Sequence, residues 1–79
     1  MKVRVDIMLK QGVLDPQGKA IAQALRGLGF DNVQDVRAGK VIELEVADAD
    51  AESAQAAARA MAEKLLANLV IEDYRVSTS

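Results

Sequence analysis

Residues Lys2 to Leu9 read KVRVDIML, and the apolar members Val3, Val5, Ile7 and Leu9 fall on every second position. Side chains alternate across an extended chain, so these residues share one face while Lys2, Arg4, Asp6 and Met8 share the other. This feature constrains the architecture most: it requires a sheet with one covered face and one open face. Whatever covers the strand has to carry a matching apolar stripe.

Two later stretches have helical spacing. In QGVLDPQGKAIAQALRGLGF, residues 11–30, Asp15 followed by Pro16 reads as an N-cap with proline at the first helical position. Ala20, Ile21, Ala24, Leu25 and Leu28 then form the apolar stripe, and Gly29 fits the position just past the helix end. Gly18 in the first turn costs up to about 1 kcal/mol relative to alanine. It is either a tolerated defect near a frayed end or a place where something packs too closely for a Cβ. The second stretch, DADAESAQAAARAMAEKLLAN, is capped by Asp48 or Asp50 and offers a narrow face of Ala54, Ala57, Ala58, Met61 and Leu65.

Between the helices, residues 33–46 read as two strands joined at Ala38-Gly39, the second being KVIELEV. VQDVRAGK, residues 33–40, is irregular for a strand, because Val33 and Val36 lie three apart. A tight turn would direct Asp35 toward the helices, a conflict that a longer turn or a bulge relieves. Leu69 to Val76 reads as a last strand. The order is β-α-β-β-α-β over a single domain, residues 1–79. This predicts an α+β, ferredoxin-like sandwich: a four-stranded antiparallel sheet with two helices on one face. The open sheet face carries Lys2, Arg4, Asp6, Glu43 and Glu45 but also Met8 and Val41, a mixture that points to self-association or docking.

Several function classes are disfavoured. The chain has no cysteine and no histidine, which removes disulfides and the usual zinc sites, so no metal site is expected. A 79-residue chain buries only roughly 60–65% of its unfolded surface, so stability has to come from an efficient core, from oligomerisation, or from both. Ten basic against twelve acidic residues give a net charge of -2, without the basic footprint of nucleic-acid binding. RNA readers of this topology expose aromatic rings on the central strands, where this chain has Val5, Ile7, Val41 and Glu43. General acid–base chemistry lacks its commonest residue, and the serines have no evident activating base, so no catalytic residue is expected. No apolar run approaches the ~18 residues of a membrane span and no leader is evident, so a soluble cytoplasmic protein is expected.

Three motifs, VLDPQGKAI (residues 13–21), VQDVRAGK (residues 33–40) and IEDYRV (residues 71–76), follow one another in a chain that starts KVRVDIMLK. Together they closely resemble the PurS family, the small subunit of phosphoribosylformylglycinamidine synthase, over nearly the entire chain. The resemblance implies a small α/β protomer that forms dimers or tetramers and joins a large synthetase subunit, PurL, and a glutaminase subunit, PurQ. That ligase converts formylglycinamide ribonucleotide, ATP and glutamine to formylglycinamidine ribonucleotide in purine synthesis. ATP and Mg are then expected in the large subunit, and no cofactor on this chain alone. Arg37 and Lys40 become the expected polar anchors around the turn, toward a subunit or a phosphate, with Gly39 permitting its backbone. Asp15, Pro16 and Gly18 would shape a second surface. The competing expectation is a free-standing regulatory module that binds a metabolite at a dimer interface, with the loop before Asp15 as its pocket.

Overall fold

The computed structural model describes residues 1–47 and 50–78. Among these the elements are β1 (Lys2–Leu9), α1 (Pro16–Gly27), β2 (Gly39–Glu45), α2 (Ala51–Met61) continued by a π-helical turn (Ala62–Leu66), and β3 (Glu72–Thr78). The sheet order is β2-β1-β3, antiparallel throughout, so the strictly alternating first strand is the central one. Val3, Val5 and Ile7 are buried along it. Their cross-strand partners are Leu44 and Thr78, Ile42 and Val76, and Lys40 and Tyr74 respectively.

Among the described residues, α2 and its π-helical continuation cover this face. Ala54, Ala58 and Ala62 recur every four residues and are fully buried on Val3, Val5 and Ile7. The small side chains allow the helix to approach the sheet closely. Met61 and Leu65, expected on the same stripe, are exposed instead, Leu65 at 83%. The π-helical turn explains the change: Ala67 N–H donates to the Ala62 carbonyl at 2.9 Å, and the extra residue brings Leu66 and Ala67 back to the core in place of Leu65. Asp50 is the cap, accepting from Ser53 N–H at 2.7 Å. The other cap candidate, Asp48, lies outside the described residues.

The expected fourth strand is not there. Among the described residues the sheet has three strands, and residues 33–38 make no ladder. Their backbone groups have other partners. Arg26 of α1 donates from Nε to the Val33 carbonyl and from Nη2 to the Gln34 carbonyl, both at 3.0 Å, and Ala38 N–H donates to Asp15 Oδ2 at 2.8 Å. The segment is therefore tied to α1 rather than to the sheet, and the two helices do not share one sheet face. The ends of α1 are as expected. Asp15 caps it, and Gly29 at φ 99 closes it, with Phe30 N–H donating to Leu25 and Gly29 N–H to Arg26. Its stripe is not buried on the core cluster, however, and Leu28 is 74% exposed.

The last strand begins at Glu72 rather than Leu69. Residues 69–71 form a turn in which the Asn68 carbonyl accepts from Ile71 and Glu72 N–H, while the Glu72 carboxylate accepts from Asn68 N–H at 2.7 Å. Tyr74 then packs on the core margin and donates its hydroxyl to Glu63 at 2.6 Å, tying β3 to the π-helical turn. On the open sheet face Lys2 pairs with Glu43 at 3.1 Å and Arg4 with Asp6 at 3.0 Å, beside exposed Met8 and Val41. The resulting protomer is long and flat, 49 × 25 × 14 Å, with a radius of gyration of 15.9 Å. A compact domain of this length has about 12 Å. Among the described residues no helix is long and apolar enough to cross a membrane.

Candidate functional site

The six residues singled out by sequence, Asp15, Pro16, Gly18, Arg37, Gly39 and Lys40, come together where α1 begins and β2 begins. Asp15 organises the region. Its Oδ1 accepts from Gly18 N–H at 2.8 Å, the expected N-cap bond, and its Oδ2 accepts from Ala38 N–H, 23 residues along the chain. These two backbone donors, with Arg37 nearby, hold the Asp15 carboxyl below the usual carboxylate range. Pro16 opens the helix without requiring a partner for an N–H it lacks.

Gly18 settles the question its position raised. A Cβ there would run into the Val36 carbonyl and come within 2.9 Å of Asp15 Oδ2. The segment passes directly over the first turn of α1, and glycine is what permits it. Gly39 acts differently from the expected turn glycine. It is the first residue of β2, opposite Met8, and a Cβ on it would meet the Met8 thioether and lie 2.6 Å from the Ile7 carbonyl.

Arg37 is exposed at the surface, yet its guanidinium Nη2 donates to the Leu9 carbonyl at the end of β1. It therefore straps the segment to the sheet. Lys40 is exposed and makes no ion pair among the described residues. Lys40 and Gly39, with Asp15 and Ile7, line an open cleft of about 270 Å³ between β1 and the start of α1. On the other side of the segment lies a second cleft of about 310 Å³, walled by the loop before Asp15 and by α1. Sequence reasoning missed Arg26, which is the main tie between α1 and the segment. A basic residue in the last helical turn is ordinary, and nothing in its spacing announces a reach of seven or eight residues.

Glu43 and Glu45 lie on the open sheet face, across from Arg4 and Lys2. Tyr74 is held protonated above its usual range, chiefly by the bond to Glu63, which favours structural anchoring over proton transfer. What the surface does offer is apolar area. Leu14 at 71%, Leu28 and Phe30 are exposed on and around α1, and Leu65 and Val70 at the far end of α2.

The chain matches the family model for PurS, phosphoribosylformylglycinamidine (FGAM) synthase, over residues 2–79. A PurS subunit of phosphoribosylformylglycinamidine synthase from Bacillus subtilis is 50% identical over 74 residues, covering 94% of this chain and 87% of that protein. The crystal structure of Methanocaldococcus jannaschii PurS superposes with a TM-score of 0.87 at 42% identity, covering 96% of this chain and 92% of the other. A chain in the structure of PurLQS from Thermotoga maritima gives a TM-score of 0.86 at 36% identity, covering 96% and 93%. At that coverage the superposition takes in α1 and the segment after it, so the extended protomer is shared with these relatives. By family match, identity and shape, this chain belongs to the PurS family.

Proposed function

We propose that the chain is the non-catalytic assembly and coupling subunit of FGAM synthase, acting in the cytoplasm in purine biosynthesis. In this reading it associates with itself and seats a PurL-type synthetase subunit, which holds ATP and Mg, against a PurQ-type glutaminase subunit. Ammonia released from glutamine then reaches the synthetase without loss to water. Such coupling needs an enclosed, well-seated interface rather than another nucleophile. The observation that carries the reading is the extended protomer: a radius of gyration of 15.9 Å, with α1 held away from the core and most of its stripe exposed. A monomer rarely leaves that much apolar surface uncovered unless partners cover it. The Thermotoga maritima relative, whose structure is named PurLQS, gives the assembly its expected composition. Arg37, Gly39 and Lys40, with Asp15, Pro16 and Gly18 beneath them, shape one of the seating surfaces. Lys40, which makes no ion pair among the described residues, is a charge that can meet a partner, whereas Arg37 first fastens its own segment.

Reconstitution tests the reading. Omitting this chain from a mixture with the large and glutaminase subunits should abolish most glutamine-dependent activity while ammonia-dependent synthesis persists. Full glutamine-dependent activity in its absence would refute the coupling role.

A further inference from the structure

The 310 Å³ cleft beside α1 is lined by Lys10, Lys19, Arg26 and Arg37, together with Asp15 and Asp35. Four cations converge on it in a chain whose net charge is -2. None of the four pairs with a carboxylate among the described residues, where the ion pairs lie at the sheet instead. The two acids in the wall offset two of these four charges and leave two in excess. Asp15 accepts from Gly18 and Ala38 N–H, and Asp35 accepts from Val36 N–H at 3.0 Å. Arg26 and Arg37 are held by bonds to backbone carbonyls, which leave their charge intact and leave donors on each guanidinium unused. The two arginines are thus preoriented forks, and Lys10 and Lys19 add point charges on flexible four-carbon stems.

We infer that this cleft binds an anionic small molecule through two or more linked phosphate groups. Its volume is at the lower end of the ~300–1,000 Å³ range of ligand sites, enough for a phosphate chain or a phosphorylated sugar. A site of concentrated positive charge with fixed guanidinium forks suits phosphate oxygens, which accept bidentate bonds. A ligand there bridges the loop before Asp15, α1 and the segment, the three parts joined by the Asp15 node, and so stiffens the arrangement that presents the seating surface. The inference is independent of the assembly reading, since binding is measured on the chain alone.

The test is titration of the isolated full chain with sodium tripolyphosphate at low ionic strength, followed by calorimetry and by backbone amide NMR. Saturable binding is expected, with shifts centred on residues 10–19, 26 and 34–37. Lys10→Ala/Lys19→Ala, which alters exposed or half-exposed rim residues without touching the backbone ties, should weaken binding at least fivefold. Lys2→Ala/Lys64→Ala, with the same change in net charge and away from both clefts, should weaken it less than twofold, and adenosine should not compete. Absence of saturable binding, a loss below fivefold in the first variant, a loss of twofold or more in the second, or competition by adenosine would each overturn the proposal.

Discussion

Replacing Gly18 by alanine inverts the usual sign of a helix substitution, which makes it a sharp test of how the segment after α1 is held. In an unobstructed helix Gly→Ala stabilises by up to about 1 kcal/mol, because glycine loses more backbone freedom on folding. At Gly18 the added Cβ runs into the Val36 carbonyl and lies 2.9 Å from Asp15 Oδ2. The Val36 oxygen is backbone and the Asp15 oxygen is tied to Ala38 N–H, so residues 33–38 have to retreat and the Asp15–Ala38 bond is strained. Overpacking of this kind costs about 1–3 kcal/mol, so the net expectation is a loss of up to about 2 kcal/mol once the propensity gain of about 1 kcal/mol is subtracted. For a domain of this size that lowers the melting temperature by up to about 15 °C. Gly27 on the same helix is the internal control: a Cβ there meets nothing within 4 Å, and alanine should be neutral or stabilising. Both variants are melted by circular dichroism at one protein concentration, because self-association shifts the midpoint by mass action. If Gly18→Ala is as stable as Gly27→Ala, the segment does not cross α1 as described.

Two further outcomes follow from the same region. Asp15 is more acidic folded than unfolded, through Gly18 and Ala38 N–H, so its contribution is fully present above the ordinary carboxylate range near pH ~3.9 and is lost as pH falls through the lower folded value. Asp15→Asn should therefore lower the melting temperature at neutral pH and flatten the acid limb of the stability profile; an unchanged limb would contradict the two-bond node. Leu28→Ser removes a side chain that is 74% exposed, so the isolated chain should keep its stability within about 0.5 kcal/mol while association with itself or with the other subunits weakens. Unchanged sedimentation profiles of chain and complex would remove Leu28 from any interface.

The parts of the fold that were legible are those set by local chemistry. Alternation gave the core face of β1, Asp15-Pro16 gave the start of α1, and Gly29 gave its end, because each depends on residues within a turn of one another. The fourth strand failed because helical and strand periodicity report which residues are apolar, not where their backbone bonds go. The carbonyls of Val33 and Gln34 were taken by a guanidinium from α1, a competition that no spacing rule registers. Phase errors on α2 have a similar origin. The stripe through Met61 and Leu65 assumes a uniform helix, and one π-helical turn moves Leu66 and Ala67 into their place. The site residues were found from motif resemblance, yet their roles divided in ways visible only in three dimensions: Gly39 accommodates Met8, and Arg37 holds Leu9.

The way α1 is fastened bears on what the chain can offer to partners. A helix that folds back on its own sheet spends its apolar stripe in doing so. Here the helix and the segment after it are fixed by Arg26 on two carbonyls, by Asp15 on two N–H groups and by Arg37 on Leu9, with only Gly18 and Ala22 buried along α1. Polar ties of this sort add little net stability, about 0.5–1.5 kcal/mol each, but they set position without consuming hydrophobic surface. Leu14, Ile21 and Leu28 remain available, and burying a leucine or isoleucine in an interface contributes about 1.5–3 kcal/mol apiece. Folding and assembly thus draw on different residues of the same helix. Weakening the polar ties should misplace the interface while the core of Val3, Val5, Ile7 and the α2 alanines stays intact, and weakening the leucines should spare the fold while the complex dissociates.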